Sequence, residues 1–172
     1  MIRDDLASVP GLDFIVDWPS ASAEHAAAIT AFWAREGAAD ETELAQVRIP
    51  QVVLHVQDHA GVVVGVCTAA KTDAERLDET LYYYRSFVTV AWRKHGIALS
   101  MLQRAAQCLS EHARRNGFPC IGILIEIQSR ELHERGNQPF WPRTRFRNPC
   151  CASGGDFPPF ARETFEDGYC ES

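Results

Sequence analysis

The sequence predicts an α+β domain with a mixed sheet, in the order α-α-β-β-β-α-β-α-β with room for one further strand. Three observations carry this. Residues 51–70 read as a β-hairpin, residues 81–127 as strand, helix, strand, and residues 20–47 as two helices ahead of them. A strand followed by a long helix and a nearly all-apolar second strand is a βαβ crossover, which requires parallel strands.

The elements follow in order. Ser20 or Ser22 can cap a helix over 20–36, Glu24 favours its first turn, and Gly37 can end it. Ile29, Phe32 and Trp33 give it an apolar stripe. A short second helix is expected from Asp40 or Thr42 to Val47, stopped by Pro50 because the residue before proline disfavours the helical region. Gln51–Gln57 is a β-rich run, Asp58-His59-Ala60-Gly61 is turn chemistry, and Val62–Ala70 is the return strand. Residues 71–80 are polar and acidic and read as a loop. Leu81–Val90 is a third strand rich in aromatic and β-branched residues.

Ala98, Met101, Leu102, Ala105, Cys108, Leu109 and Ala113 recur at helical spacing, so Ala98–Asn116 is a helix, ended at Asn116-Gly117. Cys120–Ile127 is apolar enough for a strand buried on both faces. Ser129–Gly136 is expected to be a short helix, Arg143–Arg147 a strand, and 149–159 a proline-rich loop. Phe160–Tyr169 can return as a last, edge strand. One domain over 1–172 is expected, with a core at about 20–147 and a loop-rich tail at 148–172.

Composition bounds the function. The 172 residues are 46 % hydrophobic and 23 % charged, with a net charge of −6. That balance suits a globular protein and opposes nucleic acid or an anionic membrane as the main partner. No apolar run follows Arg3 and no stretch reaches membrane-span length, so neither a signal peptide nor a span is expected, and the reading is cytoplasmic. Without a secretory signal, six cysteines do not imply disulfides. Cys67, Cys108 and Cys120 read as core residues, and Cys150, Cys151 and Cys170 as exposed thiols. No Cys-x-x-Cys spacing is present, and no metal site is expected.

The chemistry concentrates at Val88-Thr89-Val90-Ala91-Trp92-Arg93-Lys94-His95-Gly96-Ile97-Ala98. There a strand ends, a basic turn follows, and a helix begins. Helix N-termini offer unpaired N–H groups and the positive end of the dipole, a ready phosphate site. Gly96 lets backbone approach an anion, and Arg93 and Lys94 add charge. The charge is local: residues 93–115 hold five basic side chains and one acidic one. Neither the P-loop string nor G-x-G-x-x-G occurs.

Arg93-x-x-Gly96-x-Ala98, after a strand and opening a long amphipathic helix, resembles the acetyl-CoA signature of the GNAT-type N-acetyltransferases. The element order over about 20–147 is similar to that superfamily as well. The resemblance implies a GNAT-like mixed sheet whose two central parallel strands splay apart. It implies acetyl-CoA bound by Phe87, Val88 and Val90 along the pantetheine arm, and by Arg93, Lys94, His95, Gly96, Ile97 and Ala98 at the diphosphate. It implies transfer of acetyl to a primary amine, on a small molecule or a peptide, by direct attack in a ternary complex. A homodimer is one of the assemblies open to it.

The chain departs from the family at one point. Trp141 stands where members often carry a tyrosine that protonates the leaving thiolate, and Arg145 where they carry glycine. Tryptophan has no proton to give at neutral pH. That departure keeps open a second function, a non-catalytic acyl-CoA-binding or protein-interaction module on the same fold. For the catalytic base Glu126 comes first, near the end of a central strand where burial would raise its pKa. Tyr83 follows, with Tyr82 and Tyr84 on the other face. His55 lies among apolar strand residues and reads as a core histidine. Asp40, Glu41, Glu43, Asp73, Glu75, Asp78 and Glu79 lie in segments that flank the acceptor pocket in the family, which suits a cationic amine as well as simple solvation. A charged tRNA as acceptor is disfavoured by the net charge.

Overall fold

A computed structural model describes residues 9–38, 47–74, 79–93, 95–117, 120, 122–126 and 160–164, with backbone alone at 74, 126 and 160–164. Its elements are β1 (Leu12–Val16), α1 (Ala23–Glu36), β2 (Val52–Asp58), β3 (Val63–Ala74), β4 (Glu79–Val88), α2 (Ile97–Arg115), β5 (Gly122–Glu126) and β6 (Phe160–Thr164). The chain divides into two units, Met1–Ala69 with Arg85–Glu111, and Ala70–Tyr84 with His112–Ser172. β3, β4 and α2 each run from one unit into the other.

In the first unit the local signals act as their chemistry requires. The Ser22 hydroxyl accepts from His25 N at 3.1 Å, a cap worth about 1 kcal/mol. Gly37 ends α1 at φ 63, and Ala38 N donates back to Trp33 O at 3.0 Å. Ile29, Phe32 and Trp33 sink into a cluster with Val52, Val63 and Val66, and Phe87 packs against it. Each fully buried side chain of that size contributes about 1.5–3 kcal/mol of transfer free energy. At the hairpin tip, Asp58 Oδ1 accepts from Ala60 N and Val62 N, both at 2.9 Å, and Gly61 takes φ 76. Gly65 lets α2 lie close on β3, because a methyl there would meet Met101 Sδ at 3.2 Å.

In the second unit, β4 pairs in parallel with β5 through Tyr82↔Ile123, Tyr83↔Leu124 and Tyr84↔Ile125. The βαβ expectation is therefore borne out. β6 runs antiparallel to β5, from Gly122↔Thr164 to Glu126↔Phe160, within the last strand expected at 160–169. Ile123 is fully buried while Leu124 and Ile125 are half-buried, so β5 is less enclosed than its composition suggests.

Four expectations need correction. β1 was not foreseen: its five residues alternate only between half-buried and exposed, and pairing with β2 from Leu12↔Asp58 to Val16↔Leu54 holds it rather than its own pattern. Pro50 does not stop a helical turn but lies inside one, Ile49–Gln51. Proline fits the first positions of a turn, where its missing N–H is not needed. The described residues of 71–80 are strand, β3 reaching Ala74 and β4 starting at Glu79. Their polar side chains belong to a solvated strand end, where Thr80 Oγ1 donates to Asp73 Oδ1 at 2.9 Å. Finally β4 ends at Val88, not Val90. Thr89 N makes the last cross-strand bond, to Val64 O at 2.9 Å, and Val90–Trp92 curls into a 3-10 turn. The helix expected at 40–47 falls outside the described residues up to 46, as do the helix expected at 129–136 and the strand expected at 143–147.

Cys67 and Cys120 are buried and Cys108 half-buried, and none of the three is in a disulfide. Burial pushes the Cys120 thiol up, and a hydrogen bond from Tyr82 pulls it back only in part. A raised thiol keeps the folded chain's proton, so whatever stability this group lends is present below the ordinary thiol range and lost as pH rises through the raised value. Alkylation of the native chain near neutral pH, mapped by mass spectrometry, should leave Cys67 and Cys120 unmodified. Modification of Cys120 as fast as in urea would contradict this.

Candidate functional site

The joint between β4 and α2 belongs to the first unit. β4 brings Phe87 and Val88 to its end, Val88 buried and Phe87 half-buried, with the Phe32 ring edge-on to Phe87 at 5.9 Å. The 3-10 turn then carries the chain outward. Trp92 N bonds Thr89 O at 3.0 Å, Arg93 N bonds Val90 O at 3.2 Å, and Val90 is 70 % exposed. Arg93 folds back, its Nε donating to Val88 O at 3.0 Å and its guanidinium resting 5.5 Å from the Phe87 ring centre. Two anchors hold the guanidinium in place at the surface, which lowers the entropy cost of presenting it to an anion.

His95 Nδ1 lies 3.0 Å from Arg93 O, and the ring stands edge-on to Trp92 at 5.8 Å. Gly96 follows at φ 77, exposed, and among the described residues beyond its chain neighbours no atom lies within 4 Å of where a Cβ would stand. Ser100 N bonds Gly96 O at 3.0 Å, so Gly96 opens α2 and the amides of Ile97, Ala98 and residue 99 precede the first intrahelical bond. Ile97 is buried and anchors the turn, while Ala98 is exposed beside Gly96. Two small exposed residues, a helix start and a fixed arginine are the features that could receive a diphosphate. Lys94 lies outside the described residues.

At the end of β4 the backbone is partly engaged. Thr89 N and Val88 O are already bonded, to Val64 and Arg93. Successive strand amides point to opposite sides, so with Thr89 N–H facing β3, Val88 N–H faces away from it.

The catalytic candidates fall in the second unit. Tyr82 and Tyr84 are buried and Tyr83 half-buried, the alternation expected of a strand. Glu126 is the last residue of β5, opposite Phe160. Asp73 and Glu79 sit at the ends of β3 and β4, whereas Asp40, Glu41, Glu43, Glu75, Asp78, Trp141, Arg145, Cys150, Cys151 and Cys170 lie outside the described residues.

A second polar cluster lies in the first unit. Asp17, just past β1, is 4 % exposed, and its two carboxylate oxygens meet two histidines. Oδ1 is 2.8 Å from His25 Nδ1 and Oδ2 is 2.6 Å from His55 Nδ1. His55 is a core histidine, as its apolar neighbours imply, but only one of its ring nitrogens is satisfied: Nε2 has no hydrogen-bond partner among the described residues. Asp17 and His25 went unnoticed in the sequence because the three positions come from three elements with no common spacing.

No family model and no curated protein matches the sequence. Solved structures do. A GNAT-family acetyltransferase from Listeria monocytogenes 4b F2365 is 19% identical over 92% of this chain and 98% of its own, with TM-score 0.54. One from Staphylococcus aureus Mu50 is 11% identical over 90% and 99%, with TM-score 0.53. The GNAT family N-acetyltransferase YhbS from Escherichia coli, solved in complex with CoA, is 16% identical over 93% and 84%, with TM-score 0.55. The chain has the fold of the GNAT-family acetyltransferases. No helix among the described residues is long and apolar enough to cross a membrane.

Proposed function

We propose that the chain is an N-acetyltransferase that binds acetyl-CoA and moves its acetyl group to a primary amine by direct attack in a ternary complex. The observation that carries this is the opening of α2, where exposed Gly96 at φ 77 and exposed Ala98 stand at the helix start near an anchored Arg93. The E. coli structure of the same fold with CoA bound supports it.

When bound, acetyl-CoA supplies an activated acetyl thioester. Arg93, Lys94, His95, Gly96, Ile97 and Ala98 hold its diphosphate, and the backbone of Phe87, Val88 and Val90 lies along its arm. Glu126 accepts the proton that the amine must lose, which lets a neutral nitrogen attack. Tyr83 faces the acceptor. A thiol of ordinary acidity leaves readily near neutral pH, so solvent suffices where the family places a tyrosine and this chain has Trp141. Asp73 and Glu79, with the other acidic residues of the flanking segments, favour a cationic acceptor such as a polyamine, an aminoglycoside-like molecule or a lysine side chain.

Trp141 favours one alternative, an acyl-CoA-binding module without turnover. Release of free thiol from acetyl-CoA across a panel of amines separates the two. The enzyme reading expects release that depends on amine and is fastest with cationic acceptors. CoA binding with no release for any amine would establish the module instead, and equal rates for neutral and cationic amines would refute the acceptor class.

A further inference from the structure

Asp17, His25 and His55 take no part in the function proposed above. They form a group in which one ligand atom from each lies within 4.8 Å of the other two. From their chemistry and placement we infer that they bind a divalent first-row transition-metal ion, Zn²⁺ being the best match.

The donor set is two imidazoles and one carboxylate, which suits zinc and its neighbours and leaves coordination positions open. The distances lie within reach of chelation. A tetrahedral dication about 2.1 Å from each donor sets adjacent donors about 3.4 Å apart. The nitrogen–oxygen separations are 2.6 and 2.8 Å and the three ligand atoms lie within 4.8 Å of one another, so an ion would spread the short contacts and draw in the wider one by side-chain shifts. Each carboxylate oxygen already has one imidazole nitrogen beside it. The two rings stand edge to face with centres 4.9 Å apart, which turns both Nδ1 atoms toward the one carboxylate. On binding, each neutral imidazole ligates through its Nδ1 lone pair and carries its proton on Nε2.

The donors also come from backbone that is already fixed. Asp17 N and Trp18 N both bond Val53 O, at 2.9 and 3.1 Å, tying the residue after β1 to β2. His25 is held in the first turn of α1 by the Ser22 cap. His55 sits inside β2, between Ile15 of β1 and Val66 of β3. Ligands on rigid elements make a precise site. Burial is graded in a way that gives an entry path: the Asp17 and His55 side chains are fully enclosed, and that of His25 is 33 % exposed. The open coordination positions therefore lie on the His25 side. An ion here would clamp β1, α1 and β2 together and stabilise the folded chain by mass action.

The test uses the full chain, freed of metal with a chelator and titrated with Zn²⁺ alone. One ion per chain should bind at this site and raise the thermal midpoint. Affinity should fall as pH is lowered, because the ligating imidazoles must be neutral. His25→Ala should weaken binding at least tenfold and abolish the thermal shift. His25→Gln, which keeps a hydrogen-bonding group beside Asp17 but removes the imidazole, should do the same with its circular dichroism unchanged, separating lost ligation from lost folding. Co²⁺ in place of Zn²⁺ should give ligand-field bands without the charge-transfer absorption of a thiolate. Equal affinity in wild type and both variants, a thiolate band assigning the ion to any of the six cysteines, or no binding at all would overturn the inference.

Discussion

Replacing Gly96 by aspartate should reduce acetyl-CoA affinity at least a hundredfold, about 3 kcal/mol of binding, while leaving the chain folded. Two contributions to folding nearly cancel. Gly96 has φ 77, and a side chain there costs about 1 kcal/mol, although aspartate is among the residues that tolerate this region best. Against that, a carboxylate at the start of the 19-residue α2 favours the helix by about 0.3–1 kcal/mol through the dipole. Among the described residues beyond its chain neighbours, nothing stands within 4 Å of the new Cβ, so no clash with them adds to the sum. The binding terms all have one sign. The carboxylate would occupy the space before the amides of residues 97–99 and repel the diphosphate that Arg93 attracts. Gly96→Ala, with the backbone cost but no charge, should lose far less. Isothermal titration with acetyl-CoA, with thermal melts run in parallel, checks both. Unchanged affinity in the aspartate variant would remove the site from this joint, whatever the protein's activity.

The second large effect falls on stability. Asp17→Ala should destabilise the metal-free chain by roughly 3 kcal/mol, read from urea denaturation. The substitution removes the 2.6 Å and 2.8 Å bonds together. His55, fully buried, would then have neither ring nitrogen partnered, since Nε2 already lacks one. An unsatisfied polar group in that environment costs its full desolvation penalty. Asp17→Asn should cost much less, roughly 1 kcal/mol, because the amide can accept from one imidazole and donate to the other once the tautomers adjust. A loss in Asp17→Ala below about 0.5 kcal/mol, the size of an ordinary surface substitution, would mean that the cluster holds nothing together.

What was legible in the sequence was written in short-range chemistry. Ser22 and Gly37 bound α1 at residues that could be named in advance, because a cap needs an oxygen three residues before an amide and a terminus needs a positive φ. Asp58 and Gly61 marked the hairpin for the same local reason. The strand, basic turn and helix at Val88–Ala98 were visible because the anion-binding property of a helix start depends only on the residues around it, and the comparison with solved structures agrees on the fold.

The boundaries that shifted were those that neighbours decide. β4 stops at Val88 because Thr89 bonds Val64 and the chain then turns on itself, a partner 25 positions away in sequence. β1 exists because β2 pairs with it; five half-exposed residues do not specify a strand on their own. The Asp17–His25–His55 cluster is the clearest case. Sequence alone determined that the chain is an α+β protein in which a strand, a basic turn and a helix follow one another at Val88–Ala98, since periodicity and capping are properties of contiguous residues. Only the tertiary structure decided that three polar residues at positions 17, 25 and 55 share one buried point, because that proximity is made by pairing and packing between elements and leaves no periodic trace along the chain.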